Sequence, residues 1–331
     1  MGHGGLVQEH LGVLALGGSA GAFEPLLEIM GGLPGDFPGC VLVTIHTGAR
    51  SPSRLPDLLS KAGPLPAAHP RPGQPLRPGR IYVAPPGRHL LVAGGVAQLS
   101  AGPRVNRHRP AIDVMFTSAA RWAGERVVAV ILSGALDDGA VGAALIRQAG
   151  GSVVVQDPQQ ARFPSMPRAA RAAVDGAMAM PVSGIAAYVT QLLGKKESTM
   201  SPREGEEAPQ MRMGDSSDPT YLAEDETSLT RLVCPDCGGS LAQIQLPRIA
   251  YYRCHVGHQY APQSLAAAQL ESAEAKLWSA VSFLEEAAAF SRHLAEQAEH
   301  ADENAAHEHH GAADRADRLA ATIRTQLKPL D

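Results

Sequence analysis

The sequence predicts a doubly wound, mostly parallel α/β sheet with an inserted antiparallel hairpin, followed by a small cysteine-bearing module and a long α-helical C-terminus. Three observations carry this. Short apolar runs alternate with helix-period segments through residues 1–193; a Pro- and Gly-rich stretch interrupts the alternation at residues 65–99; and three of the four cysteines crowd into residues 234–254.

The strands are expected at Leu11–Leu16, Val41–Ile45, Ile81–Ala84, Val127–Leu132, Val153–Gln156 and Met178–Pro181, continuous apolar runs of the kind buried on both faces of a parallel sheet. Between them Glu24–Met30, Ser53–Ala62, Ile112–Ala123, Gly139–Ala149 and Met166–Val174 read as helices. Apolar pairs flanking Gly94-Gly95 predict the hairpin. Residues 194–230 are polar and acidic without periodicity, the composition of a disordered linker. Residues 231–261 form the cysteine-bearing module. Residues 262–331 are alanine-rich, with Leu270, Leu277, Leu284 and Leu294, and read as one or two long helices with Gly311 as the expected break.

Charge and hydropathy exclude several classes. The net charge of −4 is a mixture of both signs, without the basic footprint of a nucleic-acid binder. No run of about 18 apolar residues is present, so no membrane insertion is expected. The N-terminus lacks the basic start and apolar core of a signal peptide, which predicts a cytoplasmic protein.

Gly17-Gly18-Ser19-Ala20-Gly21 links the first strand to the first helix. The pattern suits a nucleophilic serine lifted out of a sharp turn, a phosphate cradle at a helix N-terminus, or a turn whose glycines only permit close packing. A nucleotide site lacks support, because no G-K-[ST] follows. A serine needs a base, and His46 stands directly after the second strand, at the edge where sites assemble in open α/β sheets. His69 and His89, in the Pro/Gly-rich stretch, read as surface residues. Asp137 and Asp138 follow the Val127–Leu132 strand; Asp138 is the candidate orienting carboxylate, and Asp137 reads as the cap of the helix that follows. No histidine follows Asp138 before His255, so the Ser–acid–His order of α/β-hydrolases is excluded.

The ordered segments "GGSAGA", "TIHTG", "GPRVNRHRPAIDVMF", "VILSGALDDGA" and "FPSMPRAA" make residues 11–193 resemble the catalytic domain of the chemotaxis protein-glutamate methylesterases. The resemblance implies that Ser19 is the nucleophile, His46 the general base and acid, and Asp138 the residue that orients the imidazole. It implies an oxyanion hole of backbone amides at His46 and Ala135, hydrolysis of methyl esters on glutamate side chains of chemoreceptors, deamidation of glutamine by analogy, and no catalytic cofactor. The family usually carries Met-Gly where this chain has Ala135-Leu136, which touches pocket shape. Arg107, His108 and Arg109 lie in the loop before Ile112 and are candidate substrate-binding residues for an acidic receptor helix; a solvated basic loop is the alternative. Arg168 is expected to serve structure.

Cys234-x-x-Cys237 and Cys254-x-x-x-His258 offer three thiolates and one imidazole, the donor set of a closed tetrahedral zinc site, so a structural zinc ion is expected in a zinc-ribbon-like module. His255 is sterically the less natural ligand. The module and helix resemble an extension of stand-alone family members, and no receiver domain is expected before the first strand. The long helix offers a surface for a homodimer or a receptor bundle. His293, His300 and His307 recur every seven residues and read as a solvated face. The rival to an esterase is a signalling adaptor of weak catalysis that binds partners through the module and helix.

Overall fold

A computed structural model describes residues 11–46, 53–199, 227–298 and 302–327. In chain order the first half contains β1 (Gly12–Gly18), α1 (Phe23–Gly32), β2 (Gly39–Ile45), α2 (Leu55–Ala62), β3 (Ala67–Ala68), β4 (Gln74–Pro75), β5 (Ile81–Val83), β6 (His89–Ala93), β7 (Val96–Ser100) and α3 (Ile112–Ala123). Then follow β8 (Val127–Ile131), α4 (Ala140–Gln148), β9 (Ser152–Gln156), α5 (Ser165–Ala173), β10 (Met178–Met180) and α6 (Val182–Thr199).

Seven strands form one parallel sheet in the order β10-β9-β8-β1-β2-β5-β3. Alternate residues of the central strands feed two cores, as the two-residue side-chain period requires. Val13 and Ala15 point into one with Phe116, Ile146 and Met166, from α3, α4 and α5. Leu14 and Leu16 point into the other with Leu26, Leu59 and Val189, from α1, α2 and α6. The sheet is thus wound on both faces. The Gly94-Gly95 hairpin is β6 against β7, with β4 as a third antiparallel strand; both glycines have the positive φ that such a turn needs.

Helix α6 was not anticipated. Ile185, Val189 and Leu193 are its buried stripe, and Lys195–Thr199, expected in the linker, continue it. The other end of the expected linker is also ordered, since Thr227–Thr230 open β11 (Thr227–Val233). The rest of that segment lies outside the described residues. With β12 (Ser240–Gln245), β13 (Ala250–Cys254) and β14 (Gln259–Tyr260), β11 makes a four-stranded antiparallel sheet.

Two compact units result, residues 1–265 and 266–331. The cysteine-bearing segment belongs to the first: Ile244, Leu246, Tyr251 and Ala261 are buried in the same apolar cluster as Phe116 and Ile146. The expected boundaries at 231 and 261 therefore fall inside one packed body. The second unit is made by α7 (Pro262–Ala298), beyond its first turn, and α8 (Glu303–Gln326). They lie side by side, tied by Arg292 to Asp317 at 2.6 Å and by Arg324 to Glu285. The buried seam is Val281, Ala288 and Ala295 against Ala306, Ala313 and Ala320, while Leu270 and Leu277 are exposed. Small residues at seven-residue spacing let the helices approach closely.

The helical break falls between Ala298 and Glu303, where the Asp302 carboxylate accepts the Asn304 and Ala305 amides, both at 3.1 Å. Gly311, expected to break the helix, sits inside α8, because an interior glycine costs only about 1 kcal/mol and the Asp302 cap marks a better start. His293 and His307 are exposed on different helices; His300 lies outside the described residues.

Candidate active site

Strands β8, β1 and β2 are adjacent, and Gly17 is in register with both Thr44 and Ile131. The loops after these strands leave the sheet at one rim, where the strand order reverses about β1, the place where open α/β sheets assemble sites. Ser19 opens the first of these loops. Its amide donates to the Ser133 carbonyl at 2.9 Å, and Gly21 turns the chain into α1 with φ +73°, where a side chain would meet the Ser133 hydroxyl.

His46 Nδ1 lies 3.2 Å from Ser19 Oγ, and His46 Nε2 lies 2.7 Å from Asp138 Oδ2. A neutral imidazole has one N–H. The carboxylate accepts it from Nε2, which leaves the Nδ1 lone pair facing the serine hydroxyl. Among the described residues Asp138 accepts four hydrogen bonds. Besides His46, they come from Ile112 N at 2.8 Å, Asp113 N at 3.1 Å and Asn106 Nδ2 at 2.8 Å. The first two are free amides of the α3 N-terminus, where negative charge is favoured. Burial alone would raise this carboxyl. The His46 hydrogen bond, the charges of His46 and His108 and the Ile112 amide outweigh it and hold Asp138 far below the usual carboxylate range.

Asp113, fully buried beside it, is driven the other way by burial and by the charges of Asp138 and Asp137, despite bonds from Gly142 N and Asn106 Nδ2, both at 2.7 Å. The two neighbouring carboxyls are thus driven in opposite directions, and the lowered one is the member that touches His46. Neither Asn106 nor Asp113 was identified from sequence as part of the site. Their signal is faint: an asparagine at φ +51°, and an acid at the start of a helix.

His108, a candidate substrate-binding residue, stacks on the His46 imidazole, with ring centroids 3.6 Å apart and planes 11° apart. Burial, then the charges of His46, Arg107 and Arg104, lower it to about 4 against 6.5 for a free imidazole. A lowered histidine stabilises the fold fully above its unfolded pKa, and this stability is lost as pH falls from about 6.5 toward 4. Replacing His108 with Phe keeps the stack and removes the titration. Urea midpoints between pH 7.5 and 4 are expected to fall less for the variant, by up to about 3 kcal/mol of unfolding free energy at the acid end. An unchanged profile would contradict the buried neutral ring.

Arg109 turns to its own loop, donating to the carbonyls of Ala101 at 2.8 Å and Gly102 at 2.7 Å. Arg107 lies between Asn106 and His108 with φ +68°, half-buried. Arg168 is exposed on α5, while Met166 of the same helix packs on Gly134, whose Cα also faces the Ser19 side chain.

Three expectations are corrected by these contacts. His89 is wholly buried, bonding Pro103 O and the Ala111 amide, because the loop before α3 folds over β6; His69 is half-buried and bonds Val83 O. Asp137 does not cap α4, which starts at Gly139 without a side-chain cap. Its carboxylate accepts instead from Gln263 N at 2.6 Å, Ser264 N at 3.0 Å and Ser264 Oγ at 2.5 Å, capping the first turn of α7. Finally, the His46 amide, expected in the oxyanion hole, donates to Gly18 O at 3.2 Å as a continuation of the β1–β2 ladder. The Ala135 amide donates to no carbonyl among the described residues.

Leu136 has φ +62°, the left-handed region that a branched side chain enters at a cost of about 1–2 kcal/mol. Leu136→Gly is expected to raise unfolding free energy by about 1 kcal/mol, read from urea midpoints, since removing this strain exceeds the added freedom of the unfolded chain. A lower midpoint would show that the Leu136 side chain contributes packing that outweighs the strain.

Later in the chain of the first unit, Cys234, Cys237, Cys254 and His258 bring one donor atom each within 4.8 Å of one another. Sγ of Cys237 and Cys254 are 3.6 Å apart, and His258 Nδ1 is 3.7 Å from Cys234 Sγ and 3.5 Å from Cys254 Sγ. A tetrahedron with ordinary Zn–S and Zn–N bonds requires edges of roughly 3.5–3.8 Å. The Tyr260 hydroxyl donates to Asp236 at 2.7 Å, beside His258 Nε2.

The model of the CheB methylesterase family matches residues 14–189, more than half of the chain. The chain belongs to the CheB methylesterase family. Among curated relatives, "Protein-glutamate methylesterase/protein-glutamine glutaminase 2" of Anaeromyxobacter dehalogenans is 40% identical over 158 residues, 48% of this chain and 46% of the relative. A Pseudomonas aeruginosa protein of the same name is 37% identical over 190 residues, 56% and 54% of the two chains. The chain spans about half the length of the curated relatives it matches. The crystal structure of the Thermotoga maritima CheB methylesterase catalytic domain superposes with a TM-score of 0.51 at 27% identity, covering 98% of that domain and 55% of this chain. The serine, imidazole and carboxylate described above lie within the CheB methylesterase match.

Proposed function

We propose that the chain hydrolyses methyl esters on glutamate side chains of a chemoreceptor-like protein in the cytoplasm, and deamidates glutamine by the same route. The observation that carries this is the continuous relay from Ser19 Oγ through His46 to Asp138. Ser19 Oγ attacks the ester carbonyl as its proton passes to Nδ1; that proton leaves with methoxide as methanol; His46 then activates a water that releases the glutamate carboxylate. Asp138 stays ionised and stabilises the imidazolium. The oxyanion donors are assigned to the backbone amides of Ala135 and of Ala20, the residue after the nucleophile. Arg107, half-buried in the loop before α3, is proposed to meet an acidic substrate helix. Among the described residues no helix is long and apolar enough to cross a membrane. The exposed face of α7 with Phe283 and Phe290 is the surface proposed for a second copy of the chain. The deciding experiment measures methanol release from a methylated receptor by the wild-type chain and its Ser19→Ala variant; equal release overturns the reading.

Structural zinc is proposed for the Cys3His group, because the donor spacing suits no disulfide and matches a tetrahedral ion. Zinc would clamp the two knuckles of the β11–β14 sheet and supply no catalysis. Protein purified without added metal is expected to carry about one zinc per chain, and chelation to lower its melting temperature. A module that stays folded with substoichiometric metal would count against zinc.

A further inference from the structure

The cysteine module does not stop short of the catalytic rim. The Asn106 amide donates to Gln259 O at 2.7 Å, and Val105 pairs with Gln259 as a parallel bridge, so the loop before α3 continues the module's sheet beyond β14. The Asn106 side chain then divides its bonds. Its Oδ1 accepts from Ala261 N at 2.6 Å, while Nδ2 donates to Asp138 Oδ1 at 2.8 Å and to Asp113 Oδ2 at 2.7 Å. The chemistry of the partners fixes this orientation: two carboxyl oxygens need a donor and a peptide N–H needs an acceptor, so the flipped amide would lose all three bonds. Asn106 is 1% exposed, so each of these bonds is made without competing water. Gln259 and Ala261 lie one and three residues beyond the metal-type ligand His258. The Asp137 carboxylate, next to Asp138, holds the first turn of α7 just after them.

We propose that Asn106 is a positioning residue through which the Cys3His module holds the catalytic carboxylate, so that the module is an integral part of the active site. This rests on the esterase and zinc readings above. Its logic is mechanical. With β14 and Ala261 in place, Asn106 is pinned from behind and presents both Nδ2 hydrogens to the Asp138–Asp113 pair, which keeps the charged oxygen on His46. With the module disordered, Asn106 loses two of its tethers, and Asp138 loses a donor and a wall.

The experiment uses the full chain, with 15N-labelled histidine, in four forms: wild type, Asn106→Ala, Cys237→Ser/Cys254→Ser, and the three changes combined. Two quantities are read, the low-field Nε2 proton of His46 that marks its bond to Asp138, and the rate at which a fluorophosphonate labels Ser19. The cysteine variant and Asn106→Ala are each expected to lose or broaden the proton signal and to slow labelling about ten- to hundredfold, as loss of a partner behind a site ligand does. The combined variant is expected to be no slower than either. A cysteine variant that keeps both the signal and the rate overturns the proposal, as do effects that multiply. Should Asn106→Ala fail to fold, the cysteine variant decides alone: a lost proton signal supports the coupling and a retained one overturns it. If wild-type protein neither labels nor releases methanol, the esterase reading fails, while the His46 proton still reports whether the module holds Asp138. Metal content measured on the wild type separates a failure of the zinc reading in the same way.

Discussion

Ser19→Ala is expected to lower the rate of methanol release by about 10⁶-fold while leaving the protein folded. The size follows from the roles: without Oγ no acyl-enzyme forms, and His46 is left with a proton acceptor but no nucleophile at 3.2 Å. Stability is expected to change little. The hydroxyl is half-buried and its one described bond is to His46, whereas the turn is held by the Ser19 amide on Ser133 O, which alanine retains. Melting temperature and methanol release, measured on the same preparation, separate this outcome from misfolding. A variant with wild-type turnover would remove Ser19 from the chemistry.

Asp138→Asn is expected to lower turnover by about 10⁴-fold and, unlike Ser19→Ala, to destabilise the fold. The carboxylate accepts on both oxygens, from Asn106 and Asp113 on one and from Ile112 and His46 on the other. An asparagine has one accepting oxygen, so its NH2 must confront donors on one side. Leaving such groups unpaired in a buried site costs about 1–3 kcal/mol each. If the NH2 faces His46, the ring must present a lone pair at Nε2 and carry its proton on Nδ1, where it can no longer take the serine proton. Loss of the negative charge also removes one of the causes that raise Asp113. Turnover close to wild type would show that His46 is oriented by its stack on His108 and not by the carboxylate.

The parallel sheet was readable because its central strands are apolar at nearly every position, as burial on both faces requires, and because helix-period segments separate them. All six predicted strands and all five predicted helices of the first 193 residues occur within a residue or two of their expected bounds. Ser19, His46 and Asp138 were legible as a group for a related reason, since each lies in the loop that follows an apolar run. Helix α6 was less legible because its buried stripe of Ile185, Val189 and Leu193 is narrow and its end is polar. Asn106 and Asp113 were missed because asparagine and aspartate beside a helix start are ordinary turn residues by composition.

What the sequence determined by itself is thus the order of elements, the rim where Ser19, His46 and Asp138 gather, and the members of the Cys/His cluster; each depends on local pattern or short spacing. Tertiary structure decided what the polar groups do there. It turned Asp137 from a cap of its own helix into a cap of α7, 126 residues away, put His108 on the face of His46, spent the His46 amide on Gly18, and placed the cysteine module behind Asn106. Those choices rest on hydrogen bonds between segments distant in sequence, made in buried places where every donor must find an acceptor, and no local pattern encodes which partner arrives.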